Sequence, residues 1–276
     1  MVVNARLLLP YLMGQRRDGL RRVRDVDRHP WELVTLDPQP ATRIDDPVEK
    51  LHSLGRLYAM LAARVEALAR SGCRPVSLAG DCVSSLGMLA GLQHAGQPPD
   101  RVVWLDAHGD FHTWASTQTQ YIGGMPLAMF VGRVDDGPDP RNRATRACLS
   151  AIGVQPCPPQ RVVLADARDL DPGEREALLD SAIVRCSLDE VLARLRPAER
   201  IYVHWDTDVI DDPVRMPALK YHVRRGPGAA DMATFFRALR KHEIVAVSVS
   251  AWHAEQDDDD QTARACLDIL NTLLDA

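Results

Sequence analysis

Short apolar runs rich in β-branched residues alternate with longer amphipathic segments along most of the chain. Each run ends in polar or acidic residues, an order typical of buried parallel strands that alternate with helices. The predicted strands are residues 32–36, 75–78, 101–105, 161–164, 182–186, 200–204 and 244–249. The predicted helices are residues 47–71, 83–92, 172–181, 188–195, 229–241 and 260–274. The pattern therefore predicts an α/β fold with a central, mostly parallel sheet.

The composition is that of a large globular α/β domain. The chain has 276 residues, of which 46% are hydrophobic, enough for one domain over residues 1–276, although length alone also permits two smaller ones. A net charge of −5 gives no general attraction to nucleic acid or anionic membranes, so we expect neither as a partner. The six cysteines form no CxxC pair, and residues 7–13 are too short and too proline-broken for a signal peptide. Both features favour a cytoplasmic protein.

Two of the predicted strands lead directly into clusters of acidic residues. The run at 101–105 is followed by Asp106, His108 and Asp110, and the run at 200–204 is followed by Asp206 and Asp208. Strand side chains alternate with period two, so each set points to one side. Ligands bind at the carboxyl ends of strands in open parallel sheets. The two sets are therefore expected to meet at one edge of the sheet.

Carboxylates gathered in this way repel one another unless cations bind between them. One imidazole together with several carboxylates suits Mn²⁺-like ions, and two such ions can acidify a water molecule between them. A single Asp-x-Asp is weak evidence, because aspartate is common at strand-to-helix turns, but two sets strengthen the prediction of a metal pair. The acidic run at residues 257–260 is interpreted differently, as the first turn of a helix facing the positive end of its dipole.

At these residues the sequence resembles the arginase–agmatinase family, in five ordered segments that extend over most of the chain. Residues 79–82, Ala-Gly-Asp-Cys, resemble the family's Gly-Gly-Asp-His turn, and residues 104–110 are similar to its Asp-Ala-His-x-Asp motif. Residues 123–127, Gly-Gly-Met-Pro-Leu, resemble its His-Gly-Met-Pro segment. Residues 167–174 resemble its Arg-Asp-x-Asp-x-x-Glu loop, and residues 206–211 its Asp-x-Asp-x-x-Asp strand end.

The resemblance implies a single three-layer αβα domain, assembled as a homo-oligomer, in the family often a trimer or hexamer. It also implies two Mn²⁺ ions per chain and hydrolysis of a C–N bond in a small guanidine or amidine by a hydroxide that bridges the metals. Asp110 is then catalytic, because it orients that hydroxide and takes up its proton. The ligands implied are Asp106 and Asp206 for both ions, His108 and Asp208 for one ion alone, and Cys82 and Asp110 for the other.

Cys82 and Gly123 depart from the family pattern at the expected reaction centre. Cys82 stands in place of a histidine ligand, and as a thiolate it would shift preference from Mn²⁺ towards Zn²⁺ or Fe²⁺; alternatively it is a small buried residue that weakens that site. Gly123 replaces a proton-shuttling histidine, a loss that commonly costs about 10²–10⁴-fold in rate. Either the leaving group is less basic, another residue substitutes, or the enzyme is slow. His112, with an ordinary pKa near 6.5, is the candidate substitute.

The predicted substrate contacts are His112, Tyr121, Asp171, Glu174 and Ser248. Ser248 replaces a glutamate that pairs with the guanidinium in arginases, and a hydroxyl cannot supply that bidentate contact. His112 replaces an asparagine that recognises the substrate's carboxylate end. Asp171 and Glu174 fall where arginases contact the α-amino end, although acids there also suit the capped start of a helix.

Cysteine in the first metal motif together with Tyr-x-Gly-Gly-Met also resembles the branch that hydrolyses N-hydroxyarginine. The nitrogens of hydroxyguanidines are less basic, which relaxes the need for a strong leaving-group acid. The predicted function is hydrolysis of a C–N bond in a small guanidino, amidino or hydroxyguanidino compound by a metal-dependent enzyme. Two alternatives stay open: a catalytically silent or regulatory arginase-fold subunit, and a single-metal amidohydrolase that resembles deacylases.

Overall fold

The computed structural model describes residues 2–275, in which most strands are followed by a helix. In chain order the elements are β1 (Asn4–Leu9), β2 (Tyr11–Leu12), β3 (Gln15–Arg16), α1 (Val23–Val26), β4 (Glu32–Leu33), α2 (Pro47–Arg70), β5 (Arg74–Ala79), α3 (Ser84–His94), β6 (Arg101–Leu105), α4 (Pro126–Phe130), α5 (Pro140–Ile152), β7 (Val162–Ala165), α6 (Pro172–Leu179), β8 (Val184–Cys186), α7 (Val191–Arg194), β9 (Arg200–Asp206), α8 (Ala229–Leu239), β10 (Glu243–Ser250) and α9 (Gln261–Leu274).

Eight strands form one sheet in the order β4-β1-β5-β10-β9-β6-β7-β8, and every neighbouring pair is parallel. The chain leaves β5 for β6 on the far side of β9 and β10, so the direction of winding changes near the middle of the sheet. A crevice forms at such a point, outside the carboxyl ends of the strands. The ends of β5, β10, β9 and β6 therefore lie side by side there.

Helices cover both faces of the sheet, which confirms the predicted three-layer αβα arrangement. Along β6, Val102 and Trp104 pack into the core beneath α2, α3 and α5, whereas Val103 and Leu105 pack into the core beneath α8 and α9. Both faces of the strands are buried, which explains why they are near-continuous apolar runs without a polar side.

Acidic side chains contact the backbone N–H groups at the starts of α2 and α9. The Asp46 carboxylate accepts a hydrogen bond from the Glu49 backbone N–H (2.8 Å) at the start of α2. In the acidic run before α9, the buried Asp257 carboxylate accepts hydrogen bonds from the backbone N–H groups of Thr262 (2.9 Å) and Ala263 (2.8 Å). The run therefore lies just before α9 rather than in its first turn, and one of its acids contacts the positive end of that helix.

Six elements of the described chain were absent from the prediction, of which β1 and α5 are the longest, and the first predicted strand was overextended. Residues 4–9 form β1, near the sheet centre, although Pro10 breaks the apolar run that contains them. The arginine-rich α5 buries only a narrow stripe, so its periodicity is weak, although Asp139 caps its start and Gly153 ends it at φ +75°. The strand predicted at 32–36 pairs only over Glu32–Leu33. Among residues 2–275, no helix combines the length and apolarity that crossing a bilayer requires.

Candidate metal centre

The adjacent strand ends open into a cavity of about 640 Å³. The predicted metal ligands come from three of them: the turn after β5, the segment after β6, and the end of β9 with the turn that follows. All of them line the cavity: Cys82, Asp106, His108, Asp110, Asp206 and Asp208. The sequence prediction that the two acidic sets meet at one edge of the sheet agrees with this geometry.

The same local turn directs the side chains at both acidic strand ends. The Asp106 Oδ1 atom accepts a hydrogen bond from the His108 backbone N–H (2.8 Å), and the Asp206 Oδ1 atom accepts one from the Asp208 N–H (3.0 Å). Aspartate commonly makes this bond to the backbone two residues later, and the bond turns the chain. Each turn leaves the second residue of the pair facing the cavity beside the first.

One half of the centre is built from Asp106, His108 and Asp208. The His108 Nδ1 atom lies 3.1 Å from Asp208 Oδ2 and 3.5 Å from Asp106 Oδ1, and the three ligand atoms lie within 4.8 Å of one another. Burial opposes protonation of His108, but its hydrogen bonds with the two carboxylates outweigh burial and raise its pKa to about 12. In the metal-free protein His108 is therefore protonated, and its positive charge offsets the two carboxylates.

The other half contains Cys82, Asp106 and Asp110, whose ligand atoms also lie within 4.8 Å of one another. The Cys82 thiol donates a hydrogen bond to Asp206 Oδ2 (2.9 Å), and burial, followed by the charge of Asp206, raises the pKa of the thiol well above its usual range. Cys82 is therefore a neutral thiol without metal. A bound metal ion removes the proton of a coordinating thiol.

Asp110 provides the test of whether a cation fits here. Its Oδ2 atom is buried and finds no hydrogen-bond partner among residues 2–275. Burial, then the charges of Asp106 and Asp206, raise the pKa of Asp110 well above its usual range. A buried carboxylate without a partner is costly unless a cation or proton satisfies it. Oxygen, nitrogen and sulfur donors around one space fit divalent metals.

The predicted substrate contacts His112, Asp171 and Glu174 also line the cavity. The His112 Nε2 atom lies 3.2 Å from Asp171 Oδ2, and the buried Glu174 accepts a hydrogen bond from the Phe111 N–H (2.8 Å). The Asp171 side chain makes no capping bond to α6 within residues 2–275. Asp171 thus lies in the cavity wall beside His112, and contact of Asp171 or Glu174 with a substrate stays a prediction.

Tyr121 occupies the space next to Gly123. Its ring lies so close that a β-carbon at Gly123 would overlap it. The Tyr121 hydroxyl accepts a hydrogen bond from the Tyr221 hydroxyl (3.1 Å), and both rings line the cavity. Burial is the main cause that raises the pKa of Tyr121, so the phenol keeps its proton. Position 123 therefore has no room for a side chain while the Tyr121 ring stays in this place.

Ser248 does not reach the cavity, which corrects its placement among the substrate contacts. It is fully buried, and its Oγ atom lies 2.6 Å from the Tyr202 hydroxyl and 2.7 Å from His204 Nδ1. A serine side chain is too short to reach the cavity from this position, two residues before Ser250 at the strand end. Burial lowers the pKa of His204 to about 3, so this imidazole is neutral and packs beneath the centre.

Lys220 is the main feature of the site that sequence reasoning missed. It is 3% exposed, lines the cavity, and donates hydrogen bonds to the Gly80 carbonyl (2.6 Å) and to Ser250 Oγ (3.3 Å). Lys220 lies in the irregular segment between β9 and α8, so no strand-end rule marks it. The available signal was its rarity, because the chain contains only three lysines.

An open parallel sheet with a carboxylate-rich crevice at its carboxyl edge defines an α/β protein of the metallohydrolase class. The comparison with known proteins makes this more specific. The chain belongs to the arginase family, whose model matches residues 17–275. Members of this family are metal-dependent hydrolases that act on guanidino carbon–nitrogen bonds.

Individual relatives agree with this assignment. The chain is 31% identical over 191 residues to the N(omega)-hydroxy-L-arginine amidinohydrolase of Streptomyces lavendulae, an alignment that covers 66% of this chain and 63% of that relative. It is 25% identical over 272 residues to the arginase of Brucella melitensis, covering 91% and 85% of the two chains. The crystal structure of Bacillus subtilis arginase superposes with a TM-score of 0.82 at 23% identity over 99% of both chains, which shows the shared fold.

Proposed function

We propose that this protein hydrolyses an amidino C–N bond in a small hydroxyguanidino compound, with guanidino compounds as poorer substrates. The proposal includes a pair of divalent ions, of which Mn²⁺ is the expected one and Zn²⁺ or Fe²⁺ the alternatives that the Cys82 thiol introduces. The observation that carries it is the pairing of Gly123 with Tyr121, because the tyrosine ring fills the space that a side chain at position 123 would occupy.

The residues at the strand ends support the metal-binding part of the proposal. Asp106 belongs to both ligand clusters, and Asp206 contacts Cys82 on one side while its turn positions Asp208 on the other. A divalent ion bound there supplies Lewis acidity and lowers the pKa of water, so that hydroxide is available near neutral pH. Asp110, whose Oδ2 atom is free of protein partners within residues 2–275, orients the attacking oxygen and accepts its proton.

The mouth of the cavity supports an amino-acid-like substrate with a cationic end. Asp169 and Asp171 both line it, and the Asp171 side chain is 53% exposed, so its negative charge faces solvent. His112 lies beside Asp171 and provides a hydrogen-bonding group for the substrate's carboxylate end. Glu174, held by the Phe111 backbone, adds a third carboxylate deeper in the wall. Opposite charges at the mouth raise the local concentration of such a substrate.

The cavity wall around Gly123 supports a leaving group that is less basic than that of arginine. The raised pKa of Tyr121 leaves a phenol that donates a hydrogen bond but is a weak proton donor near neutral pH. By the resemblance, Ser248 stands in place of the guanidinium-binding glutamate, but it lies below the cavity. Ser250, the residue of β10 that lines the cavity, carries no carboxylate either. A hydroxyguanidine has less basic nitrogens than arginine, so it depends less on a strong acid for its leaving group and on a carboxylate that pairs with a guanidinium. The name of the Streptomyces lavendulae relative points to the same substrate class.

The test is a substrate panel on the Mn²⁺-loaded protein, with N-hydroxy-L-arginine, L-arginine and agmatine. We expect hydroxyurea release from N-hydroxy-L-arginine with a kcat/KM at least about 100-fold above that for L-arginine, the range that a missing acid commonly costs. Asp206→Asn serves as the inactive control and should lose turnover of every substrate. Preference for L-arginine, or equal rates with the control, would overturn the proposal.

A further inference from the structure

Lys220 places a positive charge inside the centre that is proposed to bind divalent cations. The side chain enters from the segment between β9 and α8, and only 3% of the residue is exposed. Its Nζ atom is fixed by the Gly80 carbonyl at 2.6 Å and the Ser250 hydroxyl at 3.3 Å. Both acceptors are neutral, so neither hydrogen bond neutralises the charge. The ammonium has three N–H groups, which leaves a third for the cavity.

The position of Lys220 is asymmetric with respect to the two halves of the centre. Gly80, its closest acceptor, lies two residues before Cys82 in the turn after β5, and the Cys82 thiol in turn contacts Asp206. The opposite half, with His108 bonded to Asp208, belongs to the turns after β6 and β9. The ammonium therefore lies on the Cys82 side of Asp206.

The charges of neighbouring groups agree with this placement. Burial opposes the charge of Lys220, but nearby Asp206, followed by Cys82 and Asp208, outweighs it and raises the pKa of the lysine. Burial likewise opposes ionisation of Asp206, and the Lys220 ammonium is the largest of the causes that nevertheless lower its pKa. Lys220 is thus a lasting cation that already stabilises Asp206, one of the carboxylates expected to bind metal.

We propose that Lys220 is a built-in cation of this centre that makes its two metal positions unequal. The position formed by Asp106, His108 and Asp208 binds a divalent ion first, and the position formed by Cys82, Asp106 and Asp110 binds a second ion only weakly. The fixed ammonium repels an incoming cation on its own side and competes with it for Asp206. This inference rests on the proposed function, because it needs a centre that binds metal.

The test is Mn²⁺ titration of chelator-stripped protein by calorimetry, with metal content measured after desalting. We expect the wild type to keep one ion per chain and to bind a second at least about 10-fold more weakly, since like charges repel strongly in a partly buried site. In Lys220→Met the second ion should bind at least about 10-fold more tightly than in the wild type, so that desalted protein keeps close to two. Lys241→Met, which removes an exposed lysine, is the matched control and should behave as the wild type.

Two further variants separate charge from folding. Lys220→Gln keeps a polar group for Gly80 and Ser250 and should tighten the second site in the same direction if Lys220→Met folds poorly by circular dichroism. Lys220→Arg keeps the charge and should keep the second site weak. Two equal sites in the wild type, or an unchanged isotherm in both neutral variants, overturns this inference while hydrolysis of N-hydroxy-L-arginine still supports the proposed function. Absence of metal binding in every variant overturns both.

Discussion

Asp110→Asn should make the metal-free protein more stable while it weakens the metal-loaded one. The Oδ2 atom of Asp110 is buried without a hydrogen-bond partner in the described chain, and Asp106 and Asp206 add like charge. Asparagine fits the local backbone, since Asp110 has φ +51°, a region that asparagine adopts more readily than most residues. An amide N–H group donates hydrogen bonds to carboxylates, so we expect the substitution to replace repulsion with hydrogen bonding.

The size of the stabilisation follows from the cost of an unsatisfied buried polar group. That cost is about 1–3 kcal/mol. A chain of this length gains roughly 2 °C in melting temperature per kcal/mol, so the metal-free variant should melt about 2–6 °C above the wild type at pH 8. The assay is thermal unfolding in the presence of chelator. Asp189→Asn, on the exposed surface, is the control and should shift stability by less than about 0.5 kcal/mol.

The stability difference between Asp110→Asn and the wild type should depend on pH. The pKa of Asp110 is higher in the folded protein than its ordinary value of 3.8, so the folded chain holds a proton that the unfolded chain releases. The contribution of Asp110 to stability therefore falls as the pH rises above about 4, and it falls until the raised pKa is passed. The advantage of Asp110→Asn should be small near pH 4 and grow towards pH 8.

Saturating Mn²⁺ should reverse the order of stability. A ligand at 100 times its dissociation constant stabilises a protein by about 2.7 kcal/mol, and the variant has lost a donor for one ion. Its activity should fall by about 10²–10⁴-fold, as expected for loss of a general base. An Asp110→Asn protein that is less stable than the wild type in chelator, or that gains as much from Mn²⁺, would refute the reasoning.

Three smaller predictions follow from the surroundings of the centre. Gly123→Ala should lower the free energy of unfolding, measured in urea, by about 1–3 kcal/mol, because the added methyl group overlaps the Tyr121 ring. Gly124→Ala is the control: its β-carbon would lie 3.5 Å from His112 Cδ2, so the free energy of unfolding should change by less than about 0.5 kcal/mol. Tyr58→Phe removes the 2.7 Å hydrogen bond to the buried Asp81 carboxylate and should cost about 1–3 kcal/mol in the same assay. Cys82→Ser should reduce Zn²⁺ affinity, measured by competition with a chromophoric chelator, by a larger factor than Mn²⁺ affinity, because it removes the soft donor; equal factors would mean that the sulfur is not a ligand.

The sequence predicts the fold well where periodicity and capping act locally. The apolar runs at β6 and β9 and the long α2 agree with the structure because burial on both strand faces and one helix face leaves a clear pattern. It fails for β1, whose place near the sheet centre depends on pairing with β5 about 70 residues away, and for α5, whose surface is mostly polar. Long-range pairing leaves little trace in a local window.

The residues of the candidate site also fall into those that the sequence predicts and those that it does not. Residues that follow strands could be predicted, because the end of a strand fixes where they lie, and Asp106 and Asp206 are clear cases. Ser248 was placed by resemblance alone, and its short side chain remains below the cavity. Lys220 comes from an irregular segment whose path depends on tertiary packing. Assembly into trimers or hexamers and location in the cytoplasm stay predictions.

The central claim, that the acidic strand ends hold divalent metal, is tested most directly by anomalous scattering from crystals soaked in excess Mn²⁺. We predict a strong peak between Asp106, His108 and Asp208 and a second, weaker peak bounded by Asp106, Asp110 and Asp206. A map without peaks at these carboxylates, in crystals whose soak solution contains millimolar Mn²⁺, would contradict the account.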